Sequence, residues 1–228
     1  MDRQAPIGIL MLDSRFPRIP GDMGNPATWD CTVIYRVVKA ATPDQVVSNG
    51  AEGLLPAFIA AAKELEAEGV ALITTSCGFL CTFQRDLAAA VSVPVVTSSL
   101  FQVASINALL PDGKQTGILT ISKASLSTDH LKAAGVPDGT PIAAPEDHFV
   151  DVILNDMPEM DVSQARAENV AAAQKLLRTN PSVGALVLEC TNMTPYAQCI
   201  QLAVNIPVFS IVSHVSWLRG ATAPTVWS

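Results

Sequence analysis

Val70-Ala-Leu-Ile-Thr-Thr-Ser-Cys77-Gly and Val183-Gly-Ala-Leu-Val-Leu-Glu-Cys190-Thr decide how this chain is read. Each is a nearly continuous apolar run of strand length that ends on a thiol. Such runs predict strands covered on both faces, as in a parallel sheet. Each cysteine is followed 17 residues later by a proline in a second apolar segment: Val91-Ser-Val-Pro94-Val-Val and Val204-Asn-Ile-Pro207-Val-Phe. Upstream, Ile7-Gly-Ile-Leu-Met-Leu-Asp13 is echoed by Thr116-Gly-Ile-Leu-Thr-Ile-Ser122. Gly8 lies 69 residues before Cys77, and Gly117 lies 73 before Cys190. Two related half-chains, each offering one thiol at a strand end, imply a site built between them.

Working outward, strands are predicted at 7–13, 32–38, 70–75, 93–97, 116–121, 140–144, 183–189 and 206–210. Between them run Ala-rich helical segments. The segment 53–68 sets Leu54, Leu55, Phe58, Ile59, Ala62 and Leu65 on one helical stripe, and Gly69 supplies its stop. Its counterpart covers about 163–178 and ends near Asn180-Pro181. Alternation of this kind predicts an α/β fold with right-handed crossovers. Two pseudo-symmetric domains are expected, each a mainly parallel sheet flanked by helices, with the active site in the interdomain cleft. The first half is read as 1–98 plus a returning tail at 208–228, the second as 99–207. Residues 14–30 form a Pro/Gly/Asp-rich loop directly after the first strand, of a length that is often functional.

Composition bounds the function classes. The 228 residues are 49% hydrophobic and 15% charged, enough to bury a core and unlike a disordered chain. The net charge of 14 − 21 = −7 argues against a general nucleic-acid surface. No apolar run approaches the roughly 18–20 residues that span a bilayer, and no secretory signal is read at the N-terminus. Five cysteines without disulfide-scaffold spacing fit reduced thiols in a cytoplasm.

In open parallel sheets, ligands collect beyond the carboxyl ends of the strands, where Cys77 and Cys190 are expected. Each precedes a helix start, whose amides and dipole favour a thiolate. A free thiol with a pKa of about 8.5 then needs little help to act as a base. Opposed thiols can accept and donate a proton on the two faces of one substrate carbon. The small polar neighbours Thr74, Thr75, Ser76 and Gly78, and Thr191 and Asn192, suit a carboxylate or enolate oxygen. Cys31, Cys81 and Cys199 have no counterparts across the repeat and are read as core or supporting residues. The cysteine and histidine spacings are not those of zinc sites. No glycine-rich phosphate loop follows a strand, so neither a nucleotide cofactor nor pyridoxal phosphate is expected. Arg15 and Arg18, in the long loop, are candidates to hold a second carboxylate. His214 is a candidate to polarise a cysteine or a substrate oxygen.

The motifs Ile7-Gly-Ile…Asp13-Ser14, Thr75-Ser-Cys77-Gly78, Gly117-Ile-Leu-Thr120 and Glu189-Cys190-Thr-Asn resemble those of the aspartate/glutamate racemase superfamily. Its members include hydantoin racemases, maleate isomerases, arylmalonate decarboxylases and an algal-type dimethylsulfoniopropionate lyase. The resemblance implies cofactor-independent chemistry in which one thiolate removes an α-proton and the other thiol reprotonates the opposite face. It places Asp13 and Ser14 near the substrate, and gives Thr75, Gly78, Thr120, Ser122, Thr191 and Asn192 to its polar groups. The expected substrate is a small carboxylate or amino acid, and a homodimer is compatible. Departures are instructive. Gly78-Phe79 stands where glutamate racemases have Asn-Thr, and Asn192 where they have His and aspartate racemases have Glu. Arylmalonate decarboxylases keep one catalytic cysteine, and this chain has both. A racemase or epimerase is the first reading, with a lyase or cis–trans isomerase as the alternative and a non-enzymatic binding protein as the third.

Overall fold

The computed structural model describes residues 5–222 and contains two four-stranded parallel sheets. The first is built from β1 (Ile7–Leu12), β2 (Val33–Val38), β3 (Leu72–Thr75) and β4 (Val95–Val96), in the order β2-β1-β3-β4. The second is built from β5 (Gln115–Leu119), β6 (Ile142–Ala143), β7 (Val183–Leu188) and β8 (Val208–Phe209), in the order β6-β5-β7-β8. The two orders are the same once the strands of each half are counted from its own start. All eight expected strands are present. The two amphipathic helices form at Leu55–Ala67 and Val162–Thr179.

The alternation along β1 explains the first core. Ile7, Ile9 and Met11 pack with Leu72 and Val96 on one face. Leu10 and Leu12 pack with Phe58, Ala62 and Leu65 on the other. Both faces are therefore covered, which is why the strand reads as unbroken apolar sequence. Gly8 and Gly117 recur because a helix lies against each strand there. A Cβ on Gly8 would stand 3.0 Å from Leu65 Cδ1, and one on Gly117 would stand 3.0 Å from Leu176 Cδ2.

The larger apolar cluster runs through both halves without a break, from Leu10 and Phe58 to Leu119, Leu176 and Leu188. Ser99 Oγ donates to the Leu188 carbonyl at 2.6 Å, and Gln102 Nε2 to that of Ser210 at 3.1 Å. β8 belongs to the second sheet, so the chain crosses back only after Ser210. The helix Ile211–Thr222 then lays Ile211 and Val215 against Ile7, Ile9 and Leu72 of the first sheet. Residues 1–4 and 223–228, the outer ends assigned above to the first half, lie outside the described residues.

The long loop is a strap across the two halves. Asp156 receives the backbone N–H groups of Arg15 (2.6 Å) and Phe16 (3.2 Å) and pairs with the Arg15 guanidinium at 3.1 Å. Gly21 packs so closely on Pro195 that a Cβ would lie 2.8 Å from its Cα. Met23 anchors the far end in the first core.

Candidate active site

Both thiols emerge in the same way. The residue before each cysteine donates its backbone N–H to the neighbouring strand: Ser76 to Leu10 at 2.9 Å, and Glu189 to Leu119 at 2.7 Å. Each cysteine then sits in extended backbone at the start of a 3-10 helix, Gly78–Phe83 or Thr191–Tyr196. A hydrogen bond joins the two turns, with Thr191 Oγ1 donating to the Ser76 carbonyl at 2.7 Å.

Cys77 and Cys190 line one small cavity of about 20 Å³, roughly the room one water occupies. Leu12, Phe16, Phe79, Ile121 and Ile153 supply its apolar walls, and Ser76, Gly78, Glu189, Thr191 and Asn192 its polar ones. Of the residues expected to meet the substrate, Ser76, Gly78, Thr191 and Asn192 therefore share a wall with both thiols. The others do not line the cavity. Thr120 lies directly behind it and donates through Oγ1 to Glu189 Oε2 at 2.8 Å. Thr75 braces the first turn, its Oγ1 lying 2.9 Å from the Cys77 carbonyl and 2.8 Å from that of Thr97. Asp13 faces Lys39 at 3.4 Å. Ser122 caps its own turn through Ser125. Arg15 is engaged by Asp156, with its side chain 74% exposed. His214 is buried and stacks on Trp217, away from the residues that line the cavity.

Ser14 enters through a chain of polar contacts that reaches the second thiol. It accepts from Arg18 Nη2 at 3.0 Å, and Arg18 Nη1 pairs with Asp22 Oδ1 at 2.9 Å. Asp22 Oδ2 accepts from Asn192 Nδ2 at 2.7 Å, and Asn192 Oδ1 lies 3.7 Å from Cys190 Sγ. Asp22 is buried, and Arg18 also stacks over Phe16, 4.7 Å from the ring centre. Of the two loop arginines, Arg18 is thus the one tied to the site.

The electrostatics differ from the expectation of helix-stabilised thiolates. Burial pushes both thiols well above their ordinary value, and the nearby Glu189 carboxylate pushes them further. The amides of Phe79 and Asn192 pull the other way but do not prevail. Each cysteine is followed by six residues of 3-10 helix that run on into a short α-helix, and the helix starts do not offset the desolvation of the buried thiols. Cys81, one turn deeper, is pushed up to about 12 for the same reasons and donates to the His130 carbonyl at 3.5 Å.

Glu189 is the functional candidate that sequence reading passed over. It is fully buried, burial lifts it to about 7, and Oε1 has no hydrogen-bond partner. The signal was a charged residue inside an otherwise apolar strand-end motif, where an ionised side chain is costly unless it is paired. Among the described residues, no group of His, Cys, Asp and Glu is placed to hold a metal ion. No helix there is long and apolar enough to cross a membrane.

A family model described as Asp/Glu/Hydantoin racemase matches residues 48–217. A dimethylsulfoniopropionate lyase from Durusdinium sp. clade D is 27% identical over 229 residues, covering 96% of this chain and 75% of the relative. Dimethylsulfoniopropionate lyase 7 from Emiliania huxleyi is 29% identical over 232 residues, covering 91% of this chain and 64% of the relative. The chain thus spans less than two thirds of that second protein. Unliganded arylmalonate decarboxylase superposes with a TM-score of 0.62 at 14% identity, over 98% of this chain and 94% of that one. Aspartate racemase from Picrophilus torridus superposes with a TM-score of 0.57 at 15% identity, over 98% and 96%. These structures share the two-sheet fold.

Proposed function

Because this chain belongs to the Asp/Glu/hydantoin racemase family, we propose that it is a cofactor-independent carbon-acid enzyme working through Cys77 and Cys190. We propose further that its reaction is a β-elimination from a small carboxylate. The observation that carries the proposal is the convergence of both thiols on one small cavity. The choice of elimination is supported by the relatives named as dimethylsulfoniopropionate lyases, which align along 91–96% of the chain.

In this reading one cysteine, as thiolate, takes the α-proton of the substrate. The C–H electron pair becomes the new Cα–Cβ double bond, and the bond from Cβ to the leaving group breaks. For a dimethylsulfonio leaving group the products are dimethyl sulfide and acrylate, and the abstracted proton passes from the thiol to solvent. The second thiol, with the amides of Phe79 and Asn192, offers donors to the substrate carboxylate as its α-carbon gains negative charge. High thiol pKa values make the thiolate a strong base once formed, which suits a weakly acidic α-proton.

Racemisation is the second reading, favoured by the matched approach of the two thiols from the two halves. An NMR assay in heavy water separates the two. With 3-(dimethylsulfonio)propionate, acrylate should accumulate with wild type and not with Cys77→Ser or Cys190→Ser. If an amino acid instead gains α-deuterium with inversion and no alkene forms from any β-substituted acid, elimination is refuted and racemisation stands. Turnover that survives replacement of both cysteines would sink both readings.

A further inference from the structure

Glu189 poses a charge problem that the thiols do not solve. Its carboxylate is wholly buried at the end of β7, with Oε2 held by Thr120 and Oε1 unpartnered and packed on Gly78, and the residue forms part of the cavity wall. No lysine, arginine or histidine lines that cavity. The nearby cation of the strap, Arg18, is already paired with Asp22. A buried carboxylate without a partner costs several kcal/mol or takes up a proton. In the empty site the proton is the cheaper answer, in keeping with the raised pKa. In a filled site the countercharge can come from the ligand.

The placement of the carboxylate says which ligand. Glu189 immediately precedes Cys190, and it packs on Gly78, which immediately follows Cys77. A Cβ on Gly78 would strike both the carboxylate and the backbone carbonyl of Glu189. The free oxygen therefore lies between the two turns that carry the thiols. The rest of the wall is apolar and aromatic, with Phe16, Phe79, Leu12, Ile121 and Ile153. Such walls suit a methylated onium centre, which is weakly hydrated and donates no hydrogen bonds.

We infer that Glu189 is the counter-ion for a cationic group on the substrate, and so selects a zwitterion bearing a sulfonium or quaternary ammonium centre over a simple carboxylic acid. The inference rests on the carbon-acid reading for the location of the substrate, but its content is separate: it concerns binding. Glu189 contacts the group that leaves or stays, while the cysteines act on the neighbouring carbon.

Calorimetric titration of the Cys77→Ser/Cys190→Ser protein, which holds substrate without consuming it, tests this. Three ligands are compared: 3-(dimethylsulfonio)propionate, 3-(trimethylammonio)propionate and the neutral isostere 4-methylpentanoate. At least one onium compound should bind about tenfold or more tighter than the isostere, the scale of a close buried charge pair. Binding of both marks a general onium site, and binding of one identifies the source of the charge. Adding Glu189→Gln should bring the preference to near one, and Glu189→Asp should retain much of it, which controls for misfolding. The inference is overturned if neither onium compound outbinds the isostere, or if the Gln variant keeps the preference. Onium binding that depends on Glu189 without any turnover by wild type would instead overturn the elimination reading alone.

Discussion

Replacing Glu189 by Gln should stabilise the empty protein at alkaline pH and leave it nearly unchanged in acid. The buried carboxyl titrates at about 7 in the folded chain, against an ordinary value of 4.5. The folded state therefore holds this proton more tightly than the unfolded state does. Its contribution to stability is fully present below pH 4.5 and is lost as pH rises through about 7. A gap of about 2.5 pH units at ~1.4 kcal/mol each is ~3 kcal/mol, an order-of-magnitude figure. Gln keeps the shape and can still accept from Thr120, but it has no charge to desolvate. Urea unfolding of wild type and variant at pH 5 and pH 8.5 measures the difference. His130 and His214 are both lowered by burial, so they tilt stability the opposite way over part of this range. They are common to both proteins and cancel in the comparison. A wild-type-minus-variant difference that is the same at the two pH values would refute the claim that Glu189 is buried without a countercharge.

Two further perturbations probe the cavity and its strap. Gly78→Ala drives a methyl group into the Glu189 carboxylate and carbonyl, so it should cost about 1–3 kcal/mol in thermal or urea unfolding and abolish turnover. Wild-type stability in that variant would mean that the two turns are packed less tightly than described. Arg15→Ala removes a largely exposed ion pair to Asp156 worth at most about 1 kcal/mol. It should barely move Tm, yet iodoacetamide should alkylate Cys77 and Cys190 faster, because the strap that carries Phe16 over the cavity is less firmly held. An unchanged alkylation rate would mean that access does not pass under the strap.

The repeat made most of the architecture legible. Paired strand-end cysteines, paired strand glycines and paired prolines sit at nearly constant offsets, and period and spacing are what a parallel α/β sheet imposes on sequence. The same repeat located Cys77, Gly78, Cys190, Thr191 and Asn192, because symmetry singles out strand ends. It was blind to whatever breaks the symmetry. Glu189 has Ser76 as its counterpart, and nothing local tells whether a carboxylate at that position faces solvent or a cavity. Asp22 and Arg18 reach the site from a loop without periodicity, across a sequence distance of 170 residues between Asp22 and Asn192. Arg15, three residues before Arg18, is turned to Asp156 instead by a contact across 141 residues. Side-chain direction in an irregular loop is set by such distant partners, which a linear reading does not see.

The helix Ile211–Thr222 has a consequence for how the molecule is made. A ribosome releases β1, β2, β3 and β4 early, yet the face formed by Ile7, Ile9, Leu72 and Val96 is covered by Ile211 and Val215, which emerge more than a hundred residues later. Meanwhile the second sheet is encoded by one uninterrupted stretch from Gln115 to Phe209 and can assemble as it appears. The nascent first half must therefore wait with an apolar flank open to water, and chaperone engagement during synthesis should concentrate there.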